Sequence, residues 1–203
     1  MNHQTRSSLA GSLAFAFIAT TAVAGEPIKL RGTIERVDGQ MIVLKTRYGA
    51  QVKLTVTESP ELVAVVKSSI ADIKPGMLVG SSGHVQSDGA QRANEVHIIP
   101  DSMRGIGEDR FRQDSEPQIK TLNASVDEIT VGVDGDLLTV KSKAGERKVI
   151  VPSGTPIVTF VPGERTDLRP GVAIFVADAK KQPEGLVQTG QIIYGRDGLT
   201  PPL

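Results

Sequence analysis

Apolar and polar residues alternate with a period of two along much of the chain. Ile28, Leu30 and Ile34 alternate with Lys29, Arg31 and Glu35, and Val52, Leu54 and Val56 alternate with Lys53, Thr55 and Thr57. Successive side chains of a strand point to opposite faces, so this pattern predicts half-buried β-strands. Gly32 interrupts the first of them, as at a bulge or sharp bend. Asp38-Gly39 and Tyr48-Gly49-Ala50 are hairpin signals on either side of Met41-Ile42-Val43-Leu44, a run apolar on both faces and therefore central. A further strand over residues 79–85 leads through Asp88-Gly89 to a last one, in which Val96 and Ile98 alternate with Glu95 and His97. That alternation points His97 to solvent. Between the two groups of strands, Ser59-Pro60-Glu61 has the residues of a helix start, and Leu62, Val65, Val66, Ile70 and Ile73 follow at helical spacing. A short helix is predicted over residues 60–69.

The pattern then repeats. Asp72-Ile73-Lys74-Pro75-Gly76 returns as Asp167-Leu168-Arg169-Pro170-Gly171, each followed by an apolar run. Proline presets the first corner of a type II turn and glycine takes the positive φ of the second, so both copies are turns feeding strands. Val37-Asp38-Gly39 matches Val133-Asp134-Gly135 and Gly49 matches Gly145 at a constant offset of 96 positions. Thr155 to Gly163 stands where the first copy has its helix signal, but it is too β-branched and too closely bracketed by proline, which predicts an extended segment or a single turn. Three strands, a helix and two strands is the element order of an oligonucleotide/oligosaccharide-binding (OB) barrel. The fold class expected is therefore all-β: two tandem OB-like small β-barrels from an internal duplication, with a short helix in the first. The first barrel is expected over residues 26–100, a connector over 101–120, the second barrel over 121–198 and a tail over 199–203.

Composition refines this. With 23 basic and 23 acidic side chains the chain has no net charge, and its aromatic content is 3% without tryptophan. Neither a long-range field nor a stacking platform for nucleic acid follows from that, so no nucleic-acid partner is expected. Residues 1–24 read as a signal peptide: Arg6 is followed by an apolar stretch over residues 9–23 and by Ala22-Val23-Ala24, a small-x-small cleavage site. The apolar stretch falls short of the roughly 20 residues that span a bilayer, so no stable membrane insertion is expected after processing. Cysteine is absent, which excludes thiol catalysis, disulfides and thiolate metal sites. A periplasmic or secreted bacterial protein is the location these features suit.

Candidate chemistry is sparse. His84, His97 and Glu95 lack the paired spacing of a metal site, and Ser82, His84 and Asp88 lack a nucleophile elbow, so neither a metal, a cofactor nor a catalytic residue is assigned. The connector carries dense charge without periodicity, which makes it a linker or a functional loop. Arg104, Glu108 and Arg110 are the candidate residues there for gripping a ligand or partner.

Taken together, the two Pro-Gly turns, the connector run Ser102-Met103-Arg104-Gly105-Ile106-Gly107-Glu108 and the closing Gly195-Arg196-Asp197-Gly198 to Pro201-Pro202 resemble a family of exported proteobacterial proteins of unknown function with OB-like barrel domains. Some members of that family are labelled metal transporter permeases, a role that needs several spanning helices. In this chain Asp109 and Arg110 follow the connector glutamate, where the family often has Gly and His. The expected function is a non-enzymatic binding or interaction protein for an envelope protein or a small polar ligand. The alternatives are a hydrolase of an envelope polymer, using carboxylates such as Glu108 and Asp109, or an accessory protein of a metal uptake system.

Overall fold

The computed structural model describes residues 27–103, 119–132, 135–142 and 145–202. The segment read from sequence as a signal peptide and nearly all of the connector, including Arg104, Glu108, Asp109 and Arg110, lie outside the described residues. Among the described residues the protein is all-β, and no helix is long and apolar enough to cross a membrane.

Strands β1 (Ile28–Asp38), β2 (Met41–Thr46) and β3 (Gln51–Lys67) form an antiparallel meander whose inward positions Ile34, Ile42, Leu44, Leu54 and Val56 are buried together. The helix expected over residues 60–69 is absent. Most of that segment is the second half of β3, and only a single 3-10 turn (Ile70–Asp72) follows it. The helix-start residues were outweighed by what comes after them. Val63 and Val65 face one buried layer and Ala64 the other, and β-branched residues buried on both faces suit a central strand. Pro60, which cannot donate to a ladder, sits where the pairing of β3 is interrupted between Val56 and Glu61.

After the first Pro-Gly turn come β4 (Leu78–Val85) and β5 (Gln91–Ile99), then a 3-10 turn (Asp101–Met103). Beyond the connector a second meander is formed by β6 (Lys120–Gly132), β7 (Gly135–Ser142) and β8 (Gly145–Val151). The segment expected to be extended is strand β9 (Ile157–Pro162), and β10 (Ala173–Lys181) and β11 (Val187–Gly195) follow the second Pro-Gly turn.

Neither barrel is built from one half of the chain. Strand β1 pairs with β10, β10 with β11, and β11 runs parallel to β3, which closes a five-stranded barrel from the first meander and the last hairpin. Strand β4 pairs with β6, and β5 meets β8 at Gln91 and Arg92, so the hairpin of the first half completes the curled sheet of the second meander. The expected boundaries at 26–100 and 121–198 thus describe the repeat but not the barrels: the two halves exchange their hairpins. The exchange is symmetric. Strands β3 and β9 lie antiparallel at the centre, where Val63 pairs with Pro162 and Val66 with Thr159, and the repeat offset converts one pair into the other. Gln191, Ile192 and Ile193 of β11 pair with Glu61, Leu62 and Val63, just as Val96, His97 and Ile98 of β5 pair with Ile157, Val158 and Thr159.

The Pro-Gly corners occupy equivalent places in this arrangement. Gly76 N–H donates to the Val126 carbonyl at 2.8 Å and Gly171 N–H to the Ile34 carbonyl at 2.8 Å, so each corner docks on the first strand of the other half. Gly76 has φ 86 and Gly171 φ 91, conformations that glycine adopts without strain. Three apolar clusters result. One fills the closed barrel, a second fills the other sheet around Val96, Val126, Leu138 and Val149, and a third lies between them, with Val65, Leu78, Ile99, Met103, Phe160, Phe175 and Ile193.

Candidate functional site

The outward face of the closed barrel carries a basic cleft that follows from register. Residues 31, 33 and 45 are polar positions of the alternating pattern, and Thr33 pairs with both Lys45 of β2 and Ala173 of β10. Arg31 and Thr33 stand two apart on one strand and so share a face. Arg47 follows at the start of the β2–β3 turn, and residues 200 and 201 of the tail form the opposite wall. The cleft measures about 300 Å³, near the lower end of ordinary ligand pockets. Arg31, Lys45 and Arg47 bring three positive charges to it, and none of the lining residues is acidic. Thr46 also lines it, with a hydroxyl that is shielded from solvent and has no hydrogen-bond partner among the described residues. Gly32 keeps the floor thin: a Cβ there would stand 2.2 Å from the Lys45 carbonyl oxygen.

Arg31 is held from behind, its guanidinium lying 4.4 Å from the centre of the Phe175 ring, a cation–π distance. It also links the cleft electrostatically to Glu95. The Glu95 carboxyl is pushed up to about 7 by burial, and Arg31 pulls in the opposite direction. His97 Nδ1 lies 3.8 Å from Glu95 Oε1.

Ser82 pairs with Glu95 and Thr121, and Gly80 pairs with His97 and Asn123, so these residues share one face of the β6-β4-β5 sheet. His97 is fully buried there rather than directed to solvent as the alternation predicts, because the outer face of β5 turns toward the apolar layer between the barrels. Its ring meets Phe160 edge-on at 6.0 Å, and a Cβ at Gly80 would stand 1.8 Å from Nε2. Burial lowers its pKa to about 4, so His97 is neutral at neutral pH and its contact with Glu95 is not an ion pair there.

The other residues singled out from sequence serve the fold or lie apart. Asp88 accepts a hydrogen bond from Ala90 N–H at 2.9 Å and shapes its hairpin, while His84 is exposed. Among the described residues no group of three His, Asp or Glu side chains could hold a metal ion. Arg104, Glu108 and Arg110 lie outside the described residues. The described ends of the connector flank the Glu95–His97 face, with Met103 packed near Leu78 at one end of β4 and Lys120 paired with Gly83 toward the other.

The two motif aspartates are structural. Asp72 accepts hydrogen bonds from Ser68 Oγ, Ser69 Oγ and Ser69 N–H. Asp167 accepts one from the Tyr194 hydroxyl at 2.5 Å and one from Arg196 at 2.8 Å. Hydrogen bonds from Ser69 and Ser68 hold Asp72, and those from Tyr194 and Arg196 hold Asp167, below the usual carboxylate range. Sequence reading missed the cleft because Arg31, Lys45 and Arg47 appear there only as the polar half of an alternation. A signal was present in the number of bases around one hairpin, Arg31, Lys45, Arg47 and Lys53, but not in any motif.

No family model matches the chain, and neither a curated protein nor a solved structure matches it.

Proposed function

We propose that the protein is a non-enzymatic binding protein of the bacterial envelope that takes a small polar ligand in the cleft of its closed barrel. The observation that carries this reading is the cleft itself, a space of about 300 Å³ lined by Arg31, Lys45 and Arg47 together with Thr33, Thr46 and Thr200. It is a preformed, concave place with few polar groups, which is how small-molecule sites are built. Export rests on the leader-like first 24 residues, and envelope location follows from it. The binding residues proposed are Arg31, Thr33, Lys45, Thr46 and Arg47.

A screen of small polar compounds by thermal unfolding tests this reading. A ligand that binds only the folded state stabilises it by about 2.7 kcal/mol when present at 100 times its Kd. Compounds that raise the Tm of the wild type are expected to leave unchanged that of Thr33→Trp, which places bulk over the cleft from an exposed position. A screen without stabilisers, or equal shifts in both proteins, would count against it.

A further inference from the structure

We infer that the chain docks with a second copy of itself by trading halves, so that residues 27–103 of one copy build both barrels with residues 119–202 of the other. The surface involved is the whole contact between the halves, and the partner it fits is the complementary half of an identical chain.

Strand pairing carries the inference. Among the described residues each half makes only local ladders of its own, β1-β2-β3 and β4-β5 in the first, β6-β7-β8 and β10-β11 in the second. Every ladder that closes a sheet runs between the halves: β1 with β10, β3 with β11 and β9, β4 with β6, and β5 with β8 and β9. The apolar layer between the barrels is shared in the same way, with Val65, Leu78 and Ile99 from the first half and Phe160, Phe175 and Ile193 from the second. A half without its complement is left with open strand edges, which are templates for pairing with another chain. Since the chain has no cysteine, no disulfide joins the halves, and the connector is their covalent link. A second half arriving from another copy therefore meets the same donors, acceptors and apolar surface as the tethered one.

Similarity between the halves raises a rival arrangement, in which a half pairs with its own kind, and three contacts disfavour it. Arg31 lies 4.4 Å from the centre of the Phe175 ring, and counted from the Pro-Gly corner the first half has Gly80 in the place of Phe175. Arg165 donates to the Gly39 carbonyl at 3.0 Å, and the first half has Ile70 in the place of Arg165. Gln191 Nε2 donates to Glu61 Oε2 at 2.7 Å, and the first half has Val96 in the place of Gln191. Two first halves would lose all three contacts. Two second halves would lose the first and third, with Asn123 and Ile157 in the places of Arg31 and Glu61. Pairing first halves with second halves across two chains satisfies every half and closes at a dimer.

Proximity decides between one chain and two. Tethered modules meet at an effective concentration of the order of millimolar, so single chains dominate in dilute solution and exchanged dimers rise as the protein approaches that concentration. Trading halves breaks every closing ladder, so the two forms interconvert only as slowly as the protein unfolds.

Refolding from denaturant at a series of concentrations tests the inference. Isotope-labelled and unlabelled mature chains, from residue 25 onward and with a protease site inserted in the connector between residues 104 and 118, are mixed, refolded and sized. The dimer share is expected to rise about tenfold or more between roughly 10 µM and 1 mM, and isolated dimer is expected to persist on dilution. Cutting that dimer in the connector is expected to release species of single-chain size, in which native mass spectrometry finds labelled first halves joined to unlabelled second halves. Isolated monomer cut in the same way is expected to yield no such hybrids. A dimer that keeps its size after cutting, a dimer that falls apart at once on dilution, or units made of two first halves would each overturn the inference. The same chain without the inserted site is expected to show the same rise in dimer, and its remaining monomeric at every concentration would overturn the inference whatever the insertion does to folding.

Discussion

Glu95 and His97 stand two residues apart on β5, and burial shifts them in opposite directions, the carboxyl up to about 7 and the imidazole down to about 4. Both are therefore favoured in their neutral forms, and their contributions to stability run against each other. Glu95 contributes stability that is present below its unfolded value of 4.5 and lost as pH rises through about 7. His97 contributes stability that is present above 6.5 and lost as pH falls through about 4, a span worth about 3 kcal/mol. Between pH 4.5 and 6.5 the two slopes oppose each other, so the wild type has a shallow profile there. Glu95→Gln keeps the neutral shape and removes one slope. Its stability in urea unfolding is expected to fall as pH is lowered from 6.5 to 4.5, more steeply than that of the wild type. Parallel profiles for the two proteins would show that the pair is not buried in this way.

At the scale of elements, most strands were legible because alternation and turn chemistry agree. The Asp38-Gly39 hairpin, the central apolar run at Met41 and the two Pro-Gly corners all appear where the pattern puts them. The helix was not legible, since Ser59-Pro60-Glu61 is good capping chemistry and only burial on both faces decides that Val63 to Val66 extend. The cleft was illegible for a related reason: it depends on which strands lie beside β1, and that is a matter of register between distant segments. The corners offer a test of equivalence. A Cβ at Gly76 or at Gly171 would meet nothing within 4 Å, so alanine at either costs only backbone strain. Gly76→Ala and Gly171→Ala are expected to lower stability by similar amounts, about 1 kcal/mol each. Gly32→Ala, which drives a Cβ into the Lys45 carbonyl, is expected to cost more. Thermal unfolding of the three variants checks the order, and a neutral Gly171→Ala would contradict the role given to its corner.

For the whole molecule, duplication leaves a choice that sequence does not record. Each hairpin can complete the barrel of its own meander or that of its twin, and the local pattern is the same in either case. In this protein both hairpins cross over. Strands β3 and β9 join the barrels at the centre, and an apolar layer with Phe160, Phe175 and Met103 fills the space between them. The cleft depends on the exchange, since β1 and β2 come from the first half while Ala173, Ile174 and Pro201 come from the second.

The direct measurement is to cut the chain in the connector, at a protease site inserted between residues 104 and 118, and to determine the size of the product under native conditions. Interlocked halves are expected to remain one species of uncut size that separates only in denaturant. Two fragments that part in native buffer, each still folded, would contradict the exchange of hairpins.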